Sequence, residues 1–155
     1  MRIIIPTLFC VICFFSACRK ETIAVAPALD KEIRIQFPVS PYYTNATTFQ
    51  SLPESSNLLN FNKQDYPNVN LITFNVVIRA ANAKDSVYAR LFNVTDNVEV
   101  ANSTIVMSRV IAQQKSSANI YFSLPNKNID LAIQVKSFNN STIYIEEPFL
   151  VLRRP

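Results

Sequence analysis

A chain of 155 residues that is 49% hydrophobic and 17% charged can bury one core but not two. Its formal charge of +4 is spread over single Lys and Arg residues, with no basic run longer than Arg19-Lys20 or Arg153-Arg154, whereas a nucleic-acid surface needs its basic groups gathered on one face. The lack of histidine removes Ser-His-Asp triads, Cys-His pairs and histidine-bound zinc, and the lack of glycine removes P-loops, dinucleotide fingerprints and nucleophile elbows in their usual forms.

The chain opens on a short positive start, Met1-Arg2, followed by an apolar stretch over residues 3–15 broken only by Pro6 and Thr7. A bilayer-spanning helix needs about twenty apolar residues and a secretory leader about 7 to 15, so the stretch reads as a cleaved leader. Cys10 and Cys13 lie inside it and Cys18 at its end, and no cysteine follows, which leaves the remaining chain no disulfide. The spacing of Cys10 and Cys13 is not a redox motif, because it sits in an apolar leader with no βαβ context.

Phe15-Ser16-Ala17-Cys18 resembles a bacterial lipobox, in which an apolar residue and two small residues precede the cysteine at a cleavage site. The family pattern usually carries Leu where this chain has Phe15. The resemblance implies that residues 1–17 are a lipoprotein signal peptide and that Cys18 becomes an acylated first residue. One acyl chain holds a protein only reversibly, and additional chains make the attachment durable. Two other readings of Cys18 are an apolar residue of an uncleaved anchor and a bystander to ordinary signal-peptidase cleavage. Residues 18–29, with small side chains and a proline, read as a tether. Arg19, where an Asp in such lipoproteins favours inner-membrane retention, implies the outer membrane of a Gram-negative bacterium, with the domain on its periplasmic or its outer side.

From residue 30 the pattern turns to period two, and residues 30–155 read as the folded domain. EIRIQF sets Ile33, Ile35 and Phe37 against Arg34 and Gln36. LITFNVVIRA sets Ile72, Phe74, Val76, Ile78 and Ala80 against Thr73, Asn75 and Arg79, and SVYARLFNV sets Val87, Ala89 and Leu91 against Tyr88, Arg90 and Phe92. NIYFSL offers Ile120, Phe122 and Leu124. IDLAIQVKS aligns Ile129, Leu131, Ile133 and Val135, and TIYIEEPFLVLRR closes the series. Within this last run Glu146-Glu147-Pro148 predicts a bulge or kink, because proline cannot donate to a central ladder. Weaker strands fall at residues 58–61, 98–101 and 104–111. No helical apolar spacing occurs, so the expectation is an all-β antiparallel β-sandwich of about eight strands, in its jelly-roll form.

Without glycine, tight turns must take positive φ from asparagine, the residue next most tolerant of it. Asn82, Asp96-Asn97, Asn126-Lys127-Asn128 and Asn139-Asn140-Ser141 are the expected turns. The N-x-S/T triplets beginning at Asn45, Asn93, Asn102, Asn139 and Asn140 follow from richness in Asn, Ser and Thr and are not read as glycosylation sites behind a bacterial leader.

Carboxylates are what the composition leaves for catalysis, and Glu146 and Glu147, as sequence neighbours, do not form a pair across a bond. Asp65 and Asp96 fall in loop-like stretches with no spacing for a dedicated calcium loop. The segment YARLFNVTDNVEVANSTI resembles the R-L-x-N-x-T-D stretch of jelly-roll modules in bacterial surface and phage-type structural proteins, carried by Arg90, Leu91, Asn93, Thr95 and Asp96. There Leu91 reads as core, with the polar residues bonding backbone at the strand's end. Candidate ligand-binding residues are Tyr42, Tyr43, Tyr66, Tyr88, Arg90 and Phe92, with Gln134 and Lys136 on the same side as the last three; aromatic rings beside polar groups are what a sugar needs. Against this, tryptophan is lacking. The sequence therefore points to a non-catalytic, lipid-anchored envelope protein acting as a protein-interaction or assembly module, or alternatively as a carbohydrate-binding module at the cell surface, with no cofactor, metal or nucleic acid.

Overall fold

The period-two segments form the long strands of two antiparallel sheets. The computed structural model describes residues 30–39 and 42–155, so Cys18, the signal peptide and the tether lie outside the described residues. In chain order the strands are β1 (Glu32–Gln36), β2 (Tyr42–Thr44), β3 (Gln50–Ser51), β4 (Leu58–Phe61), β5 (Leu71–Ala80), β6 (Val87–Asn93), β7 (Val98–Glu99), β8 (Ile105–Met107), β9 (Gln113–Ser116), β10 (Ile129–Ser137) and β11 (Ile143–Arg153). Among the described residues no helix is long and apolar enough to cross a membrane.

β1 and β2 share one partner, β11; β3 and β4 share β10; β7 and β8 share β6. The eleven segments thus fill eight strand positions, four in each sheet. Sheet A runs β1/β2, β11, β5, β9, and sheet B runs β3/β4, β10, β6, β7/β8. The first and last positions lie side by side, and every connection between positions crosses from one sheet to the other except the hairpin from β6 to β7/β8, as in a jelly roll.

Alternation does the packing. Ile72, Phe74, Val76 and Ile78 of β5 are fully buried, as are Val87, Ala89 and Leu91 of β6 and Leu131 and Val135 of β10. Facing rows from the two sheets close the core, the largest favourable contribution to such a fold. β11 needs one further device, because its core residues change phase: Ile143 and Ile145 point inward, and so do Leu150 and Leu152. An extra residue between Glu146 and Phe149 relative to β5 resets the phase. The expected bulge is therefore present, with Glu147 at φ 48°.

Asparagine supplies positive φ at two of the expected turns, through Asn97 and Asn140, whereas Asn126 and Asn128 do not adopt it. Five asparagines have left-handed backbone: Asn60, Asn68, Asn97, Asn102 and Asn140. Asn82 works differently, its side-chain oxygen accepting the Lys84 amide at 2.9 Å. In the R-L-x-N-x-T-D stretch, Asn93 Oδ1 accepts the Asp96 amide at 3.1 Å and Thr95 Oγ1 accepts the Asp130 amide at 2.9 Å, so these residues close the end of β6 onto β10. The Lys127 ammonium, bonded to Asp96, holds that carboxyl below its ordinary value.

NIYFSL is a correction. Residues Tyr121–Ser123 form a turn of 3-10 helix, so Ile120 and Leu124 are buried while Phe122, expected beside them, is 88% exposed. The weak strands at 98–101 and 104–111 shorten to β7 and β8, and β2, β3 and β9 were not anticipated.

Candidate functional site

On β6 every residue that does not enter the core faces outward, which puts Tyr88, Arg90 and Phe92 in one row. The register with β10 sets Lys136 opposite Tyr88, Gln134 opposite Arg90 and Ala132 opposite Phe92. The expected neighbourhood of Tyr88, Arg90, Phe92, Gln134 and Lys136 is therefore real, and it forms the outer face of sheet B.

Arg90 is the organiser of this row. Its Nε donates to Gln134 Oε1 at 3.0 Å, its Nη1 bonds the Glu99 carboxylate on β7, and its guanidinium carbon lies 3.8 Å from the centroid of the Phe49 ring. Gln134 Nε2 in turn donates to Ser51 Oγ at 3.3 Å. Lys136 Nζ sits 4.8 Å from the centroids of both Phe49 and Tyr88. Such cation–π contacts, with the ion pair, tie four strands into one rigid surface. Phe49 thus covers part of the row, and Arg90 positions the surface with its bonds already committed inside the protein.

Beyond Arg90 the row opens into a groove of about 650 Å³. Phe92 and Ala132 give it an apolar floor, and the connection from β3 to β4 raises one wall with Ser51, Glu54, Ser55, Asn57 and Leu59. Val94 and Asp130 stand at the end where β6 finishes and β10 starts. Asp130 Oδ1 accepts the Asn60 amide at 2.8 Å, which fixes the carboxylate against the wall. Asn57 Oδ1 is buried with no hydrogen-bond partner among the described residues. No cluster of three or more metal-ligating side chains occurs among the described residues.

The loop tyrosines go elsewhere. Tyr42 packs against the core from sheet A. Tyr43 is 72% exposed on the outer face of the same sheet, in register with Tyr144, whose ring lies 3.7 Å from the Arg79 guanidinium. Tyr66 stacks on Phe61 with centroids 6.0 Å apart, and burial, with the nearby Asp65 charge, raises its phenol pKa. Of six candidates, three meet at the groove side of sheet B. Phe49, Glu54 and Asn57 were not foreseen, since residues 45–57 show no periodicity; Leu59 falls in the weak strand at 58–61, and Asp130 had a signal in the outward phase of IDLAIQVKS.

Glu146 and Glu147 lie at the β11 bulge, on the sheet away from the groove. Glu54 and Asp130 are the carboxylates that line it.

No family model matches the chain, and no curated protein matches it in sequence. Among solved structures it is similar to the family 30 carbohydrate-binding module of the cellulosomal cellulase Cel9D-Cel44B of Clostridium thermocellum, at 11% identity and TM-score 0.36, covering 77% of this chain and 72% of that one. It is also similar to a family two carbohydrate esterase from Cellvibrio japonicus, at 7% identity and TM-score 0.33, covering 80% of this chain and 34% of that one. The chain thus spans about a third of the esterase's length.

Proposed function

We propose that the protein is a non-catalytic recognition module, tethered to the outer membrane through an acylated Cys18, and that its ligand is a glycan chain laid in the groove on the outer face of sheet B. One observation carries this reading: an open groove combines an apolar floor of Phe92 and Ala132 with Glu54, Asn57, Asp130 and Ser51 on its margins. The C–H face of a sugar ring stacks on an aromatic floor, while its hydroxyls need fixed donors and acceptors at the edges. Phe92 stands on a strand paired on both sides, with Ala132 and with Glu99, so its backbone is fixed before binding.

The test is retention on immobilised polysaccharides across neutral and acidic types. Phe92→Ala is expected to weaken binding roughly tenfold, about 1.4 kcal/mol, with new reducing ends produced by neither protein. Retention of the wild type on none of them, or retention unchanged in Phe92→Ala, overturns the glycan reading.

Protein docking is a second reading, favoured by a different surface. Ile111 is 70% exposed and Phe138 68% exposed. Both lie at the end where β5 finishes, linked through the Ser86–Ser108 bond and the Phe138 amide on the Ser86 carbonyl. Crosslinking in intact envelopes through that end tests it: recovery of the chain only as a monomer contradicts it.

A further inference from the structure

The opposite end of the sandwich has a composition of its own. There the start of β1, the end of β11 and the loop before β5 are laced together: the Arg154 amide donates to the Lys31 carbonyl at 3.0 Å, Arg154 Nε to the Pro67 carbonyl at 2.9 Å, and Arg154 Nη1 to the Asp30 carbonyl. The Asn70 amide donates to the Arg153 carbonyl, and Asn119 Nδ2 to the Asn70 carbonyl at 3.2 Å, which adds the connection between β9 and β10. That connection carries Phe122, the most exposed large apolar side chain among the described residues.

Phe122 is presented by a pinned turn. Buried Lys63 donates its ammonium to the Tyr121 carbonyl at 2.8 Å and to the Leu124 carbonyl at 2.5 Å, one on each side of Phe122. The same ammonium lies 4.5 Å from the Tyr121 ring centroid, and Tyr121 meets Phe122 edge-on at 5.2 Å. An aromatic ring held into water by a stapled turn gains most where water gives way to an apolar phase. At the same end, joined to this connection through the Asn119–Asn70 bond, lies a cavity of about 530 Å³ lined by Lys31, Asn68, Asn70 and Arg154, and none of the ion pairs among the described residues uses Lys31 or Arg154.

We infer that this end docks on the bilayer, with Phe122 in the interfacial layer and the Lys31–Arg154 cavity facing lipid phosphates. The inference rests on the acylation of Cys18. Eleven residues, or twelve residue steps, separate Cys18 from Asp30, so an acylated Cys18 keeps Asp30 within about 40 Å of the membrane. At the high effective concentration this imposes, even a weak interfacial contact by Phe122 favours a docked pose. Asp30 and Asp65 offset part of the positive charge, so insertion of Phe122, more than net charge, drives the docking.

The chain has no tryptophan, so Phe122→Trp supplies a lone reporter, and Phe138→Trp supplies one at the far end. The lipidated full chain is reconstituted into phosphatidylethanolamine–phosphatidylglycerol vesicles with and without brominated acyl chains, alongside labelling with palmitate. Docking predicts that brominated lipid quenches Trp at position 122 roughly twofold or more and leaves the position-138 reporter unquenched. Palmitate incorporation without quenching at position 122, or equal quenching at both ends, overturns the docking alone. Failure to incorporate palmitate overturns the anchor and the docking together.

Discussion

Asp85 shows how a single side chain replaces the backbone economy that glycine-rich loops provide. It is 1% exposed, and its carboxylate accepts the Ser137 hydroxyl at 2.5 Å, the Asn139 amide at 2.7 Å and the Ser141 hydroxyl. The loop from β5 to β6 is thereby bolted to the loop from β10 to β11. Burial alone would raise this carboxyl's pKa, but the hydroxyls of Ser137 and Ser141 and the amides of Asn139 and Ser86 outweigh it, so the net shift is downward. Asp85→Ala leaves buried donors without an acceptor and is expected to cost about 3 kcal/mol, read as a lower urea midpoint at unchanged slope. A depressed folded pKa means that stabilisation is complete above the unfolded value of about 3.9 and is lost as pH falls through the folded one. The wild type should therefore lose stability on acidification below about pH 4 more steeply than Asp85→Asn, as measured by denaturation at a series of pH values. At this scale the sequence was informative about turns and silent about Asp85: asparagine's tolerance of positive φ is a property of the residue type, whereas a buried carboxylate with four donors is assembled from two segments some fifty residues apart.

Elements were legible wherever one face of a strand meets the core. β5, β6 and β10 announce themselves by alternation, and β11 does so in two halves of opposite phase, with Glu146-Glu147-Pro148 between them. β9 did not, because GlnGlnLysSer is polar throughout; it exists as an edge strand through backbone bonds to β5, which leave no mark on side-chain pattern. NIYFSL misled because two buried residues four apart fit a strand's alternation as well as they fit the flanks of a 3-10 turn. The site divides the same way: its β6 and β10 half could be read from outward phase, and its β3–β4 wall, from an aperiodic stretch, could not. The bulge gives the sharpest test. Holding a non-glycine residue in the left-handed region costs about 1–2 kcal/mol, while glycine adds about 0.4–1 kcal/mol of unfolded-chain entropy. Glu147→Gly should therefore raise stability by about 0.5 kcal/mol in urea denaturation. Deleting Glu147 should instead abolish folding, since a one-residue slip turns either Ile143 and Ile145 or Leu150 and Leu152 toward solvent; a deletion variant with a native unfolding transition would refute the phase argument.

Across the whole molecule the proposed surfaces have a consistent polarity. The described chain starts at the end that presents Phe122, and the groove occupies the same half of sheet B, where β6 finishes and β10 begins, so the proposed glycan site adjoins the end proposed to meet the membrane. The exposed pair Ile111 and Phe138 lies at the other end, where β5 finishes. This arrangement makes anchoring and recognition separable, because no residue of the groove belongs to the tether. Cys18→Ser is expected to abolish palmitate labelling, to leave residues 1–17 attached by mass spectrometry, and to move the protein out of the outer-membrane fraction, since the acyl acceptor and the cleavage signal are the same residue. The substituted protein, solubilised in detergent, should keep its polysaccharide retention within roughly twofold of wild type, because the groove is formed wholly by residues 51–132. If its mass and fractionation match the wild type, the anchor reading fails and the domain must reach its ligand by another route; if fractionation shifts but retention collapses, tether and groove are coupled, and the independence argued from their positions in the fold is wrong.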